Sequence, residues 1–543
     1  MNKNSTATKT KPVTQYRLIL FTALFFAIFD NISFFSNVIE VYQPNMQNLP
    51  FLLSIFVVLV SFIVLLFTLF SSKYTTKPII ITTLLITSLT NYFMNTYHVI
   101  IDESMLRNAF QTDLHESLDL FSLKMVMYFI LLGVLPSVLV YRLDITYSPL
   151  KREMFLKLKT ILISLLVIVI MLFSFSKFYT SFFREHKPLR YYTNPTYYIY
   201  SIGKYIGNTF SSGETVLKQI GTDATIENTG NAGKRKLVVM VVGEAARADR
   251  FSLNGYTRET NPLLKQEKIV NFSNMYSCGT STAASVPCMF SIYGRSNYSH
   301  SKGIETENVL DVLKHTKKVD ILWRDNNSNS KGVADRVAYE DFKNPDNNPI
   351  PDGDIEPRDT GMLAGLDTYI QKHKDQDILI VLHQMGNHGP AYYKRYPKAF
   401  EKFTPVCRTN QLEECSREEI ANAYDNAILY TDYFLSKVIE FLKENSDTRK
   451  TAMIYMSDHG ESLGENGLYL HGLPYFMAPD SQKHIAAFIW LGSSAAKNVD
   501  IAALKAKSQK KFSHDNLFHT LLGLFEVKTE VYDRKMDILN SPQ

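Results

Sequence analysis

Five stretches of this chain are long and apolar enough to cross a bilayer, and all lie in its first third. They run over approximately 18–40, 50–71, 78–99, 121–141 and 158–178, each near the roughly 20 residues a helix needs to span the hydrocarbon layer. The first opens "LILFTALFFAIF" after a basic tail, as a signal peptide does. No small-x-small cleavage site follows it; "DNISFFSNVIEVY" does, so the stretch reads as a retained anchor.

The loops between these spans orient them. Basic residues gather in the N-terminal tail (Lys3, Lys9, Lys11, Arg17), after the second span (Lys73, Lys77) and after the fourth (Arg142, Lys151, Arg152, Lys157, Lys159). The opposite loops, 41–49 and 100–120, hold only Arg107 against several acids. Lys and Arg mark the cytoplasmic side. An odd number of spans then leaves everything after residue 180 outside the cytoplasm.

The four cysteines, Cys278, Cys288, Cys407 and Cys415, all fall in that exported part, where disulfides persist. Four cysteines allow three connectivities. Pairing of sequence neighbours, Cys278 with Cys288 and Cys407 with Cys415, is the simplest. A net charge of +5 on 543 residues, with no basic stripe, RNA motif or zinc-finger spacing, gives no sign of a nucleic-acid partner. A transporter fits poorly too, because the spans carry few polar groups and show no inverted repeat.

Three regions follow: a transmembrane domain over 1–180, an interfacial segment and linker over 181–235, and an exported domain over 236–543. The linker begins "REHKPLRYYTNPTYYIYSIGKYIG", aromatic and basic as a segment along lipid headgroups should be. The exported domain alternates apolar runs with amphipathic stretches, as in a mostly parallel sheet covered by helices. Four runs, 236–242, 318–323, 377–383 and 451–456, are each followed by a polar cluster: "GEAARADR", "RDNNSNSK", "QMGNHGP" and "SDHGE". Ligands of open α/β sheets bind beyond the carboxyl ends of the strands, so the four clusters are expected to form one site.

Glu244, Asp458 and His459 offer two carboxylates and an imidazole, a reasonable zinc set that leaves a fourth position for a reacting group. Read alone, "DHG" is a turn. A metal there would lower the pKa of a nearby hydroxyl, and "SCGTSTAASVPCMF" (277–290) supplies hydroxyls at a helix start. Free N–H groups and the helix dipole favour a phosphate there. The same hydroxyls also serve simply as helix caps, and spacing does not choose among Thr280, Ser281 and Thr282.

The strings "VVGEAARADRFSLNGYTRETNP", "SCGTSTAASVPCMF", "WRDNNSNSKG", "GNHGPAYYKRYP", "SDHGESLGENGLYLHG" and "SHDNLFHTLLG" resemble the lipid A phosphoethanolamine transferases, which include the mobile colistin-resistance enzymes. The resemblance runs from the first span to about residue 540. It implies a five-helix transmembrane domain and a periplasmic α/β hydrolase-type domain of the alkaline phosphatase/sulfatase superfamily, set in a bacterial inner membrane. It also implies zinc held by Glu244, Thr282, Asp458 and His459, with Thr282 as the nucleophile that becomes phosphoethanolamine-modified. Lys331, His388, Glu461 and His471 match positions that hold the phosphoethanolamine group or a further metal. His383, a lone histidine after a strand, reads as structural.

Asn108, Thr112 and Glu116 recur every four residues and share a helix face. A solvated face is the plain reading; the resemblance makes it a headgroup-binding one. The implied reaction moves phosphoethanolamine from phosphatidylethanolamine to a lipid A phosphate through a phosphothreonine, giving resistance to cationic peptides such as polymyxin. Another acceptor (a core sugar, a glucan or a protein) is the alternative. A monomer among membrane lipids is expected. Relatives often carry a third disulfide in the stretch matching 343–359, which has no cysteine here; the conformation of that loop is left open. Asp30, ionisable and near the first span, is assigned no role.

Overall fold

The computed structural model of the chain describes residues 12–111, 117, 119–210, 217–227, 234–497 and 499–540. They divide into two compact units: Met1–Leu106 with Phe121–Ile206, and Arg107–Leu120 with Gly207–Gln543.

The first unit is helical. Among the described residues, three unbroken helices are long and apolar enough to cross a membrane: Leu49–Phe70, Leu123–Arg142 and Leu150–Ser174. The first span is a bent pair, Gln15–Phe29 and Ile32–Val41, with 58° between its halves; counted as one span, it makes four. At the break the Asn31 amide reaches back to the Phe26 carbonyl at 2.9 Å, and the Asn91 amide donates to Asp30 Oδ1 at 3.0 Å. Asp30 thus has a neighbouring helix as its partner.

Where the third span is expected lies the 22-residue helix Thr76–Tyr97, which is not among the helices apolar enough to cross a membrane, because hydroxyls and amides dilute its apolar character. Thr83, Thr87, Ser88, Thr90 and Asn91 all lie on its buried face. Thr83 and Ser88 return their hydroxyls to the Ile79 and Leu85 carbonyls, each at 2.8 Å, as such residues do inside helices. Against Ser88 sits Gly133, where a Cβ would come within 2.6 Å of the hydroxyl oxygen. A small residue is needed for these helices to approach so closely.

The second unit is built on a seven-stranded sheet: β1 (Arg235–Gly243), β2 (Ile269–Asn271), β3 (Val319–Asp325), β4 (Ala338–Asp341), β5 (Asp377–His383), β6 (Arg449–Ser457) and β7 (Ala487–Leu491). Their order is β2-β7-β6-β1-β5-β3-β4. Strands β6, β1, β5, β3 and β4 are parallel, while at one edge β7 pairs antiparallel with β6, and β2 antiparallel with β7. The apolar runs of the sequence are continuous rather than alternating because both faces are covered. Val238, Met240 and Val242 pack with Leu310, Phe518 and Leu521 on one face. Leu237, Val239 and Val241 pack with Ile428, Leu435 and Leu442 of the helix Arg417–Glu444 on the other.

Cys278 pairs with Cys288 and Cys407 with Cys415, the neighbour pairing expected. The loop 343–359 is held by polar contacts instead. Arg358 forks onto both carboxylate oxygens of Asp354, each at 2.9 Å, and the Asn348 amide donates to the Arg358 carbonyl at 2.9 Å.

The register determines where chemistry gathers. Gly243 is level with Ser457, Val242 with His383, and His383 with Asp325. Four strands therefore end side by side, and each releases its polar cluster at the same edge.

Candidate active site

Glu244 follows β1 by one residue, and Asp458 and His459 follow β6; all three side chains are buried. Their ligand atoms lie within 4.8 Å of one another. The His459 Nδ1 is 2.8 Å from the Gly460 carbonyl. A carbonyl only accepts, so Nδ1 carries the ring proton and Nε2 presents its lone pair. That lone pair faces Asp458 Oδ2 at 3.3 Å and Glu244 Oε1 at 3.4 Å, and neither oxygen has a hydrogen-bond partner.

Three electron-pair donors converge with no proton between them, and burial makes that costly. Burial, and after it the charge of Asp458, pushes Glu244 up to about 7. A divalent cation relieves both problems, and the two carboxylates and imidazole fit one. The remaining oxygens are held from outside. The Asn327 amide donates to Glu244 Oε2 at 2.9 Å, and the Ala245 and His459 N–H groups donate to Asp458 Oδ1 at 3.1 and 2.7 Å. Gly460 is obligatory in "SDHGE", since a Cβ there would lie 2.1 Å from the Ser481 carbonyl oxygen.

The hydroxyls of 277–290 separate in three dimensions. Ser277 donates to the Gly279 carbonyl, Thr280 to the Leu473 carbonyl, and Ser285 accepts from the Gly279 N–H. Thr282 alone among these reaches the donor cluster: its Oγ1 donates to Glu244 Oε2 at 3.0 Å and lies 3.3 Å from His459 Nε2. It begins the helix Thr282–Met289, whose N-cap, Ser281, makes no side-chain capping bond. The expected hydroxyl cap is therefore absent, and the first-turn N–H groups have no capping side chain.

His471 joins the group through Glu461, with Nδ1 3.1 Å from Oε2. Its ring centroid is 4.2 Å from that of His459 and 6.2 Å from that of His388. Lys331, largely buried, extends its ammonium to the Ser328 carbonyl at 2.7 Å and reaches the Gln111 carbonyl at 3.5 Å. Asn108 is half-buried on the helix Glu103–Gln111; Thr112 and Glu116 lie outside the described residues. His383 is fully buried, its Nδ1 2.9 Å from Asp325. Burial opposes its charge, but Asp325 outweighs that and raises its pKa. Asp325 also accepts the Asn327 N–H at 2.9 Å, so this pair props the amide that holds Glu244.

Three further residues matter here. Asn327 sits inside "WRDNNSNSKG", but as one amide among three it has no signal of its own. Asp359 accepts the Met385 and Gly386 N–H groups at 2.9 and 3.2 Å, fixing the turn before His388 from a region without periodicity. His514, in "SHDNLFHTLLG", accepts the Cys278 N–H at Nδ1 (3.0 Å) and donates from Nε2 to the Ser457 carbonyl (2.9 Å). It ties the Thr282 loop to the strand that delivers Asp458. Burial pushes its pKa down to about 4, which keeps it in the neutral form this bridge requires. His514→Ala is expected to orphan two buried backbone groups at about 1–3 kcal/mol each and to lower kcat about tenfold through misplacement of Thr282. A thermal midpoint that drops while kcat holds would reduce His514 to a stabilising role.

The arrangement offers a hydroxyl nucleophile, a cation site beneath it, a helix start for an anion and imidazoles beside both, as displacement at a phosphorus centre requires. Residues 236–527 match the family model described as Sulfatase, and residues 59–210 the one described as Phosphoethanolamine transferase EptA/EptB. The chain is 44% identical over 534 residues to phosphatidylethanolamine transferase Mcr-1 of Escherichia coli, covering 96% of this chain and 97% of that one. It is 39% identical over 531 residues to phosphoethanolamine transferase EptA of Escherichia coli K12, covering 96% of each. The solved structure of the integral membrane protein lipooligosaccharide phosphoethanolamine transferase A of Neisseria meningitidis superposes with a TM-score of 0.93. Its sequence is 34% identical, with 98% of this chain and all of that one covered.

Proposed function

The chain belongs to the phosphoethanolamine transferase family, and we propose that it moves phosphoethanolamine from phosphatidylethanolamine to a phosphate of lipid A. The observation that carries this reading is the Thr282 hydroxyl at 3.0 Å from Glu244 and 3.3 Å from His459, at the first residue of a helix. Zinc bound by Glu244, Asp458 and His459 would make the Thr282 hydroxyl more acidic and neutralise developing phosphate charge.

The chain's own groups do the rest. Thr282 Oγ1 attacks the phosphorus of the donor, its proton passing to Glu244, with which it is already hydrogen-bonded. The P–O bond to the diacylglycerol oxygen breaks, and that oxygen takes up the proton held by Glu244 and leaves as diacylglycerol. The phosphothreonine so formed is then attacked by an oxygen of a lipid A phosphate; its P–Oγ1 bond breaks, the phosphoethanolamine group passes to that phosphate, and the proton of the attacking phosphate returns to the Thr282 oxygen. His388 and His471 stand beside the site to carry charge and protons. Glu461 orients His471, and Lys331 adds positive charge for the phosphate oxygens. We assign Asn108, Thr112 and Glu116 to the donor headgroup.

The bent first helix, the long Thr76–Tyr97 helix and the basic loops support a five-span reading, with the α/β domain in the periplasm of a bacterial inner-membrane protein. We take the functional divisions as 1–180, 181–235 and 236–543, and the protein as a monomer. An ammonium placed on lipid A lowers surface negative charge, so cationic peptides such as polymyxin bind less. Mass spectra of lipid A from cells expressing the intact protein are expected to show a phosphoethanolamine increment on the sugar phosphates. Cells expressing Thr282→Ala should lack it. An increment confined to another envelope component would refute the acceptor.

A further inference from the structure

Ala245, the residue after Glu244, has φ +54°, in the left-handed region. Only glycine enters that region freely, because a Cβ there crowds the following carbonyl oxygen. A strained residue of this kind persists only where its surroundings over-determine it, and this one is fully buried. Strand β6 and the residue after it supply two restraints. The Ala246 N–H donates to Ser457 Oγ at 2.7 Å, and the Ala245 N–H to Asp458 Oδ1 at 3.1 Å.

The third restraint comes from elsewhere. Tyr424, on the helix Arg417–Glu444, donates its hydroxyl to the Ala245 carbonyl at 2.6 Å and accepts the Arg247 N–H at 3.0 Å. One oxygen thus bridges a carbonyl and an N–H two residues apart in the same turn. Tyr424 is fully buried, its ring centroid 5.5 Å from that of Tyr392. A phenylalanine would fill the same space, so packing does not account for the hydroxyl. The backbone of Tyr424 reaches the same place by a second route. Its carbonyl accepts the Asn387 amide at 3.2 Å, and the Asn387 N–H donates to the Glu244 carbonyl at 3.1 Å. The bond to Asp458 draws on a member of the donor cluster itself; the bridge from Tyr424 does not.

We propose that Tyr424 is a positioning residue for Glu244: its hydroxyl holds the Ala245 turn left-handed, so that the Glu244 carboxylate stands opposite Asp458 and His459 before a cation arrives. This rests on the reading that Glu244, Asp458 and His459 bind zinc. Partners that orient a ligand from outside change metal affinity by about ten- to a hundredfold when removed. Without the hydroxyl, Ala245 relaxes toward negative φ, and the turn spends part of its time with Glu244 away from the cluster. A cation at high concentration draws it back, so the loss falls on affinity and not on the chemical step.

The test uses the full chain purified in detergent, with zinc affinity measured by competition against a chromophoric chelator. Tyr424→Phe is expected to raise the zinc Kd about tenfold, as when about a tenth of the metal-free protein has the turn in place. At saturating zinc its rate of diacylglycerol release from phosphatidylethanolamine should stay within about twofold of wild type. Ala245→Gly alone should leave the Kd within about twofold, because Tyr424 already imposes the turn. In the Tyr424→Phe background the same glycine should recover most of the lost affinity, because it takes φ +54° without a Cβ penalty. An unchanged Kd in Tyr424→Phe overturns the inference. So does a glycine effect equal in both backgrounds, which would show no coupling between the two residues, and so does a rate that stays low at saturating zinc. If Tyr424→Phe does not fold, the double variant carries the test: it must fold and bind zinc near the wild-type Kd, and its failure overturns the inference. A wild type that binds no zinc refutes the zinc reading and the inference with it. A wild type that binds zinc beside an unaffected Tyr424→Phe removes the inference alone.

Discussion

Thr282→Ala is expected to lower diacylglycerol release from phosphatidylethanolamine on the order of 10⁶-fold, the scale seen when a covalent nucleophile is deleted. The protein should remain folded. The hydroxyl meets Glu244 and His459 and ties no other element into the fold that they do not, and removing one oxygen and one methyl at the start of an eight-residue helix leaves no large cavity. Thr282→Ser keeps the nucleophile and should retain far more activity than the alanine variant. Incubated with donor lipid and no acceptor, wild type should gain one phosphoethanolamine on the peptide carrying Thr282, and the alanine variant none. Because Thr280 is committed to the Leu473 carbonyl, it should not substitute as acceptor. Full activity of Thr282→Ala, or a modified Thr280, would sink the assignment.

Removing the cation is expected to be nearly as damaging. Glu244 and Asp458 are both at most 1% exposed, and without a cation their facing oxygens and the His459 lone pair repel one another. Chelation should bring transfer to background, and added zinc should restore it. It should also lower the melting temperature, since a cation that binds only the folded state at 100 times its Kd stabilises by about 2.7 kcal/mol. Asp458→Asn preserves shape but removes a charge. It should bind less metal by elemental analysis and should not recover when zinc is returned. Undiminished turnover by chelated, metal-free protein would refute the cation-dependent reading.

Much of this was legible in the residues because it depends on local pattern. The strand runs 236–242, 377–383 and 451–456 appear as Arg235–Gly243, Asp377–His383 and Arg449–Ser457. A buried parallel strand is an uninterrupted apolar stretch ended by polar residues, and each end carries its candidate site residue, Glu244, His388 or Asp458, within the next one to five positions. The disulfide partners are close in sequence and close in space. Helix composition was harder to judge. The Thr76–Tyr97 helix has the length of a span but spends its polar side chains on its own carbonyls and neighbouring helices, and hydropathy does not register that partnering.

Other features have no local signature. The sequence "TSTAAS" contains three adjacent hydroxyl residues of equal chemistry. Which one meets Glu244 depends on the rotation of a short helix against a strand some forty residues away, and on His514 holding Cys278 from the far end of the chain. Asp119 looks like one more acid in a polar loop until Lys394 and Arg395 close on it. The chain alone determined its apolar stretches, its strand ends and the kinds of polar side chain at each, because those follow from composition over a few neighbouring residues. Folding decided which hydroxyl faces the donor cluster, which amide supports Glu244 and which acid meets Lys394 and Arg395. Each is a contact between distant parts of the chain, and only the register of the sheet and the packing on its faces bring those parts within hydrogen-bond reach.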